Sequence, residues 1–141
     1  MAATFSQSLS SHPAAIAVLA EAVETWAAGL ALPSKTVFEI NLILDELISN
    51  VIEHGYAGRD DGLIEVAVEY ADGAVTLEVT DHAAPFDLLE LDSPDLDADL
   101  DSRRIGGLGV HFVRQLADAV DYRRLGDSNV VRVHKRIEGA A

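Results

Sequence analysis

From Pro33 to His54 the chain reads as one long helix that is apolar on more than one side: Phe38, Ile40, Leu44, Leu47, Ile48 and Val51 spread around it. A helix of that kind packs on two sides, for instance against a sheet and against a second helix or a partner chain. Inside its second half, Asp45-Glu46-Leu47-Ile48-Ser49-Asn50-Val51-Ile52-Glu53-His54 sets Glu46, Asn50 and His54 at i, i+4 and i+8, a narrow polar stripe. The neighbouring stripe is Ile43, Leu47 and Val51, which belongs in a core. A carboxylate, an amide and an imidazole in a row beside a core mark either the wet edge of a helix or a site. The rest of the chain decides between these.

The flanking segments predict a sheet for this helix to pack on. Ala3 to Leu9 alternates weakly and reads as a short first strand. Ser10-Ser11-His12-Pro13 offers a turn and an N-cap, and Ala14 to Ala28 follows as a helix with Ile16, Leu19, Val23 and Trp26 on one side, Trp26 as a core anchor. After Gly55 and a loop over 57–62, Leu63 to Tyr70 alternates through Ile64, Val66 and Val68. Ala71-Asp72-Gly73 turns the chain, and Val75, Leu77 and Val79 alternate again, an antiparallel hairpin with one face covered. Leu88 to about Arg104 lacks any period and is expected to be a long functional loop. A helix over His111 to Ala119, a strand over Val120 to Leu125, a tight turn at Gly126-Asp127-Ser128-Asn129 and a last strand over Val130 to Ile137 complete the order β-α-α-β-β-loop-α-β-β. That order predicts an α+β fold, a two-layer sandwich of a mostly antiparallel sheet with helices on one face. At 141 residues a single domain over 1–141 is expected.

Charge and composition remove several functions. The formal net charge is −14, a surface that repels nucleic acid and anionic membranes. No run of about 18 apolar residues suggests a membrane span. Cysteine is absent, so no disulfide, thiolate nucleophile or Cys metal site exists. The opening Met-Ala-Ala-Thr-Phe-Ser-Gln-Ser has neither a basic n-region nor an apolar h-region, and a cytoplasmic protein is expected.

Two further stretches bear on the polar stripe. Gly106-Gly107-Leu108-Gly109 lies between loop and helix, where backbone N–H groups and a helix N-terminus can approach an anion, although such glycines also serve plain tight turns. No Gly-Lys-Ser/Thr follows and no strand leads into it, so it is neither a Walker nor a Rossmann sequence. Asp81 ends a strand just before Ala83, Ala84 and Pro85. It is either a turn-capping residue or a carboxylate placed to accept a hydrogen bond from an exocyclic amine.

Together, Glu46-x-x-x-Asn50-x-x-x-His54, Asp81-x-Ala83-x-Pro85-Phe86-Asp87 and Gly106-Gly107-Leu108-Gly109-Val110 resemble the N, G1 and G2 boxes of the GHKL ATPases. That superfamily includes DNA gyrase, Hsp90 chaperones, histidine kinases and MutL proteins. Within it the chain is most similar to the bacterial anti-sigma-factor serine kinases, over about residues 5–137. The resemblance implies the histidine-kinase-like (Bergerat) ATPase fold with ATP and Mg²⁺ as cofactors. It implies Glu46 as general base, Asn50 as the Mg²⁺ ligand, His54 near the phosphates and Asp81 as the reader of adenine. Ala83, Pro85 and Phe86 would shape the base pocket, about 88–105 would be the ATP lid, and Gly106, Gly107, Leu108, Gly109 and Val110 would form its hinge and phosphate cradle. The implied function is a serine/threonine kinase acting on a STAS-domain anti-sigma-factor antagonist and binding a sigma factor or another regulator, with room for a homodimer. The alternative is a non-catalytic module that sequesters a partner with weak or no ATP binding. A third reading is the catalytic domain of a histidine kinase that finds its phosphorylatable His in trans. One departure bears on the choice: the family usually has Gly at the position of Ala83, and the added methyl is expected to crowd adenine or forbid a positive φ, weakening or altering binding. The acids Glu90, Asp92, Asp95, Asp97, Asp99 and Asp101 in the lid segment, offset only by Arg103 and Arg104, are a second source of repulsion toward a polyphosphate.

Overall fold

The computed structural model describes residues 2–90 and 107–137, with the side chains of 90 and 107–111 left aside. Five strands form one sheet: β1 (Ala3–Ser10), β2 (Leu63–Ala71), β3 (Ala74–Asp81), β4 (Ala119–Leu125) and β5 (Ser128–Arg136). Their spatial order is β1-β2-β3-β5-β4 and every neighbouring pair is antiparallel. Helices α1 (Ala15–Ala28), α2 (Ser34–Asn50) and α3 (Gly107–Leu116) belong to the second layer. The expected two-layer α+β sandwich is what these elements build.

The period-2 patterns set which face is covered. Ile64, Val66 and Val68 of β2, Val75, Leu77 and Val79 of β3, and Val131 and Val133 of β5 are buried. They join Ile40, Ile43, Leu44, Leu47 and Ile48 of α2 in one core. The alternate residues Glu65, Ala67, Glu69, Arg132 and His134 face solvent. Two-sided packing of α2 follows from α1 and α3 lying beside it over the sheet. A half-buried ion pair, Lys135 Nζ to Glu39 Oε2 at 2.9 Å, ties β5 to α2, and the same ammonium donates to the Leu116 carbonyl at the end of α3 at 2.9 Å.

Several boundaries differ from the sequence expectation, each for a physical reason. Neither Ser10 nor Ser11 caps α1. The Ala14 N–H is taken by Nδ1 of His12 at 3.0 Å, while buried Ser11 donates to the Arg59 carbonyl and accepts from Gly62 N. Ser11 thus closes the 56–62 loop onto the end of β1. The α-helical geometry of α2 stops at Asn50, and Val51–Gly55 form a single π turn, closed by Tyr56 N–H to Val51 C=O at 2.9 Å. Ala57 and Gly58 then take positive φ and end the helix. α3 opens at Gly107, four residues before His111, because glycine costs little in a first turn whose N–H groups lack intrahelical partners anyway. The β4–β5 turn holds only Gly126 and Asp127, so Ser128 and Asn129 belong to β5 and not to the turn.

Candidate functional site

The register of the central strands builds the floor of the site. Asp81, last residue of β3, stands directly opposite Asn129 of β5, and both side chains point into the helical layer. Each is almost fully buried, at 4% and 2% exposure. Oδ1 of Asp81 accepts from Ala83 N at 2.9 Å and from Asn129 Nδ2 at 2.8 Å. The first of these is an Asx turn that ends the strand, as the turn-capping reading of Asp81 expects, and among the described residues both donors fall on Oδ1 and none on Oδ2.

The wall is the end of α2. Asn50 is 3% exposed, and its Nδ2 donates to the Glu46 carbonyl one turn back at 2.7 Å. That bond engages the nitrogen as donor, so the oxygen is what the amide offers as a ligand. Glu46 is half-buried. Burial pushes its carboxyl above the usual range, and the charges of Asp45 and Glu53 push it further. The π turn brings the helix end against the loop after β3. A methyl built on Gly55 would lie 3.3 Å from the Ala83 side chain and 3.9 Å from Asp81 Oδ1. Single π turns occur often at functional sites. Within this turn the ring of His54 stacks on Phe86, centroids 5.1 Å apart at 17°. Nε2 of His54 is buried, and among the described residues it has no hydrogen-bond partner. A buried polar atom in that state points to a ligand group.

The sequence-predicted residues therefore fall into three sets. Glu46 and Asn50 lie on the last turns of α2 and His54 in the π turn, where Phe86 stacks on His54 and Ala83 and Asp81 lie against Gly55, with Pro85 exposed. Gly107, Leu108, Gly109 and Val110 form the first turn of α3, which packs along α2. Gly106 and most of the expected lid lie outside the described residues. Ala83 does not take a positive φ, and its buried methyl packs beside Gly55.

Asn129 was missed by sequence reasoning, which assigned it to a turn. Its amide also donates to Ala84 C=O at 3.0 Å and accepts from Phe86 N at 3.3 Å and Tyr122 OH at 2.5 Å. Arg124 Nη1 holds the Ala83 carbonyl at 2.7 Å. The signal that could have found Asn129 is register: counting back from Val131 and Val133 makes it an inward-facing position. A cavity of about 580 Å³ lies on the opposite, open face of the sheet, between Thr4, Glu69, Glu78 and Arg132. It is a shallow trough on a half-solvated sheet, and none of the candidate residues reaches it.

The histidine kinase-like ATPase domain model matches residues 9–135. The chain belongs to this family. Among its relatives, the serine-protein kinase RsbW of Listeria monocytogenes is 30% identical over 92 residues, 61% of this chain and 57% of RsbW. The anti-sigma F factor of Clostridium botulinum is 39% identical over 46 residues, 33% of this chain and 32% of that protein. The chain thus aligns with less than two thirds of either relative. A crystal structure of RsbU and RsbW domains from Mycobacterium tuberculosis superimposes on 96% of the chain, 32% of that structure, with a TM-score of 0.69 at 18% identity, a likeness of fold. The histidine kinase-like ATPase fold expected from the sequence is the fold observed, and no helix among the described residues is long and apolar enough to cross a membrane.

Proposed function

We propose that this chain is a Mg²⁺-ATP-dependent protein serine/threonine kinase of the anti-sigma type, whose substrate is a STAS-domain antagonist and which also binds a sigma factor or another regulator. The observation that carries the reading is the pairing of Glu46 and Asn50 on adjacent turns of α2, the helix that runs on through the π turn to Gly55 beside Ala83 and Asp81. The named activities of RsbW and the anti-sigma F factor support it at the level of the family. A cytoplasmic location and a homodimer belong to the same proposal.

The donor set suits the metal. Mg²⁺ is a hard cation that keeps waters and phosphate oxygens and takes few protein ligands. Asn50 offers one amide oxygen, and the described residues hold no cluster of three His, Asp or Glu that would form a metal cage. Such a site fits Mg²⁺ that arrives with nucleotide, and the bound pair supplies the phosphoryl group and neutralises its charge. The protein's own part is positioning. Asp81 accepts the exocyclic amine of the base. His54 faces the nucleotide with its unpartnered nitrogen. The N-terminal turn of α3 presents backbone N–H groups to phosphate. Glu46, its carboxyl raised by burial and by the charges of Asp45 and Glu53, takes the proton of the attacking serine hydroxyl.

The test is calorimetry of ATP binding with and without Mg²⁺, on wild type and Asn50→Ala. Metal-dependent binding in wild type that is lost in the variant supports the site and justifies assay of serine transfer, read as acid-stable phosphate on the STAS protein. Acid-labile phosphate would instead point to a histidine acceptor. No binding by folded wild type rejects the kinase and leaves a partner-sequestering module. Ala83, where the family usually has Gly, is the feature that favours that alternative, and Glu46 with Asn50 opposes it.

A further inference from the structure

The amide of Asn129 is enclosed by groups whose polarity leaves it one orientation. Phe86 N–H can only donate, so the atom facing it at 3.3 Å is Oδ1. The Ala84 carbonyl can only accept, so the atom facing it at 3.0 Å is Nδ2. Tyr122, on the adjacent strand β4, adds a hydroxyl 2.5 Å from Oδ1. The amide nitrogen is thereby turned onto Asp81 Oδ1, which also receives Ala83 N–H. Both N–H donors converge on one carboxylate oxygen.

We propose that Asn129, locked by Tyr122, is the positioning residue that sets base selectivity: it holds Asp81 as a pure acceptor, so that the pocket takes a 6-amino purine and rejects a 6-oxo one. The inference rests on the nucleotide-binding reading of Asp81 above. With Oδ1 engaged by two donors of the chain itself, the oxygen left to a ligand is Oδ2, which meets an amine favourably and a carbonyl as two facing acceptors. A buried acceptor facing an acceptor is costly, which is why sites built on a hydrogen bond discriminate strongly. Replacing the amide by a carboxylate of the same shape should reverse this. Two carboxylates facing each other at that distance repel, which favours uptake of a proton; carried on Oδ2, the oxygen left to the ligand, that proton makes Asp81 a donor that a 6-oxo group accepts.

The experiment measures Kd of ATP and of inosine triphosphate, which differ in the 6-substituent, for wild type, Asn129→Asp and Tyr122→Phe. Wild type is expected to prefer ATP. In Asn129→Asp the ATP-over-inosine ratio should fall by about tenfold or more, and fall further as pH is lowered. Tyr122→Phe loses one hydrogen bond to the amide and should lower the ratio about threefold to tenfold. It carries the test alone if Asn129→Asp fails to fold. A purely structural role would weaken both nucleotides alike, so an unchanged ratio in folded variants overturns the inference while leaving nucleotide binding intact. Wild-type binding of neither nucleotide overturns the inference together with the reading beneath it.

Discussion

Glu46 serves two demands that pull apart. As the proposed base it gains from a raised carboxyl, and the same burial, with Asp45 and Glu53 alongside, costs the folded state when Glu46 is ionised. The sign follows from linkage. A carboxyl raised by folding favours the native state below its unfolded value, and that contribution is lost as pH rises through the folded value. Glu46→Gln keeps the shape without the charge. It should therefore melt at or above wild type near about pH 7.5, the margin shrinking toward about pH 4. Serine transfer should fall by about 10²–10⁴-fold with ATP affinity retained. Melting curves at the two pH values, with a phosphotransfer assay, check both halves, and a variant that keeps full transfer would remove Glu46 from the chemistry. At the neighbouring contact, Gly55→Ala would put its methyl 3.3 Å from that of Ala83, tighter than packed carbons prefer. Overpacking there should cost about 1–3 kcal/mol. Ala83→Gly should recover much of that loss in the double variant, a coupling that a denaturant double-mutant cycle reads directly.

Between elements, Tyr56 is the clasp that joins the end of α2 to the sheet. Its hydroxyl donates to Leu63 C=O at 2.5 Å and accepts from His82 N at 2.9 Å, pinning the start of β2 to the end of β3 beside Asp81. Tyr56→Phe leaves both backbone groups without that partner and should cost about 1–3 kcal/mol in urea unfolding. Loss of ATP affinity should come with it, because the Asp81 loop hangs on His82. Gly62→Ala would drive a methyl to 2.6 Å from the Tyr56 ring and should disturb the clasp more severely, through sterics. This level of structure was only partly legible in the sequence. Alternation disclosed the faces of β2 and β3, and helical spacing disclosed the stripe of Glu46 and Asn50. The π turn was hidden because its residues, Val51 to Gly55, fit an α-helical pattern equally well. Asn129 was hidden because Gly126-Asp127-Ser128-Asn129 is a turn-rich composition, whereas its role comes from the long-range register with Asp81. Ser11 was hidden likewise, its partners Arg59 and Gly62 lying about fifty positions on.

Over the whole molecule the dominant quantity is charge. A net charge of −14 on 141 residues places a negative field around a protein proposed to bind a polyanion. Self-repulsion of that size opposes the compact state, and the same field slows the approach of ATP. Both effects are screened by salt, since the Debye length falls from tens of ångströms at about 0.01 M to about 8 Å at 0.15 M. Raising NaCl from about 20 to about 200 mM should therefore raise the melting temperature and also raise the association rate of Mg²⁺-ATP. A site dominated by basic groups would do the reverse, losing affinity with salt. Stopped-flow association and thermal melts over one salt series separate these cases. A higher melting temperature with a lower association rate would mean that a local cationic patch overrides the global field at the site, and Arg103 and Arg104 in the lid segment would be the residues to neutralise next. A rise in both would mean that the acidic surface reaches the site unopposed. Neutralising Asp97, Asp99 and Asp101 together should then raise ATP affinity at low salt and lose most of that effect at about 200 mM.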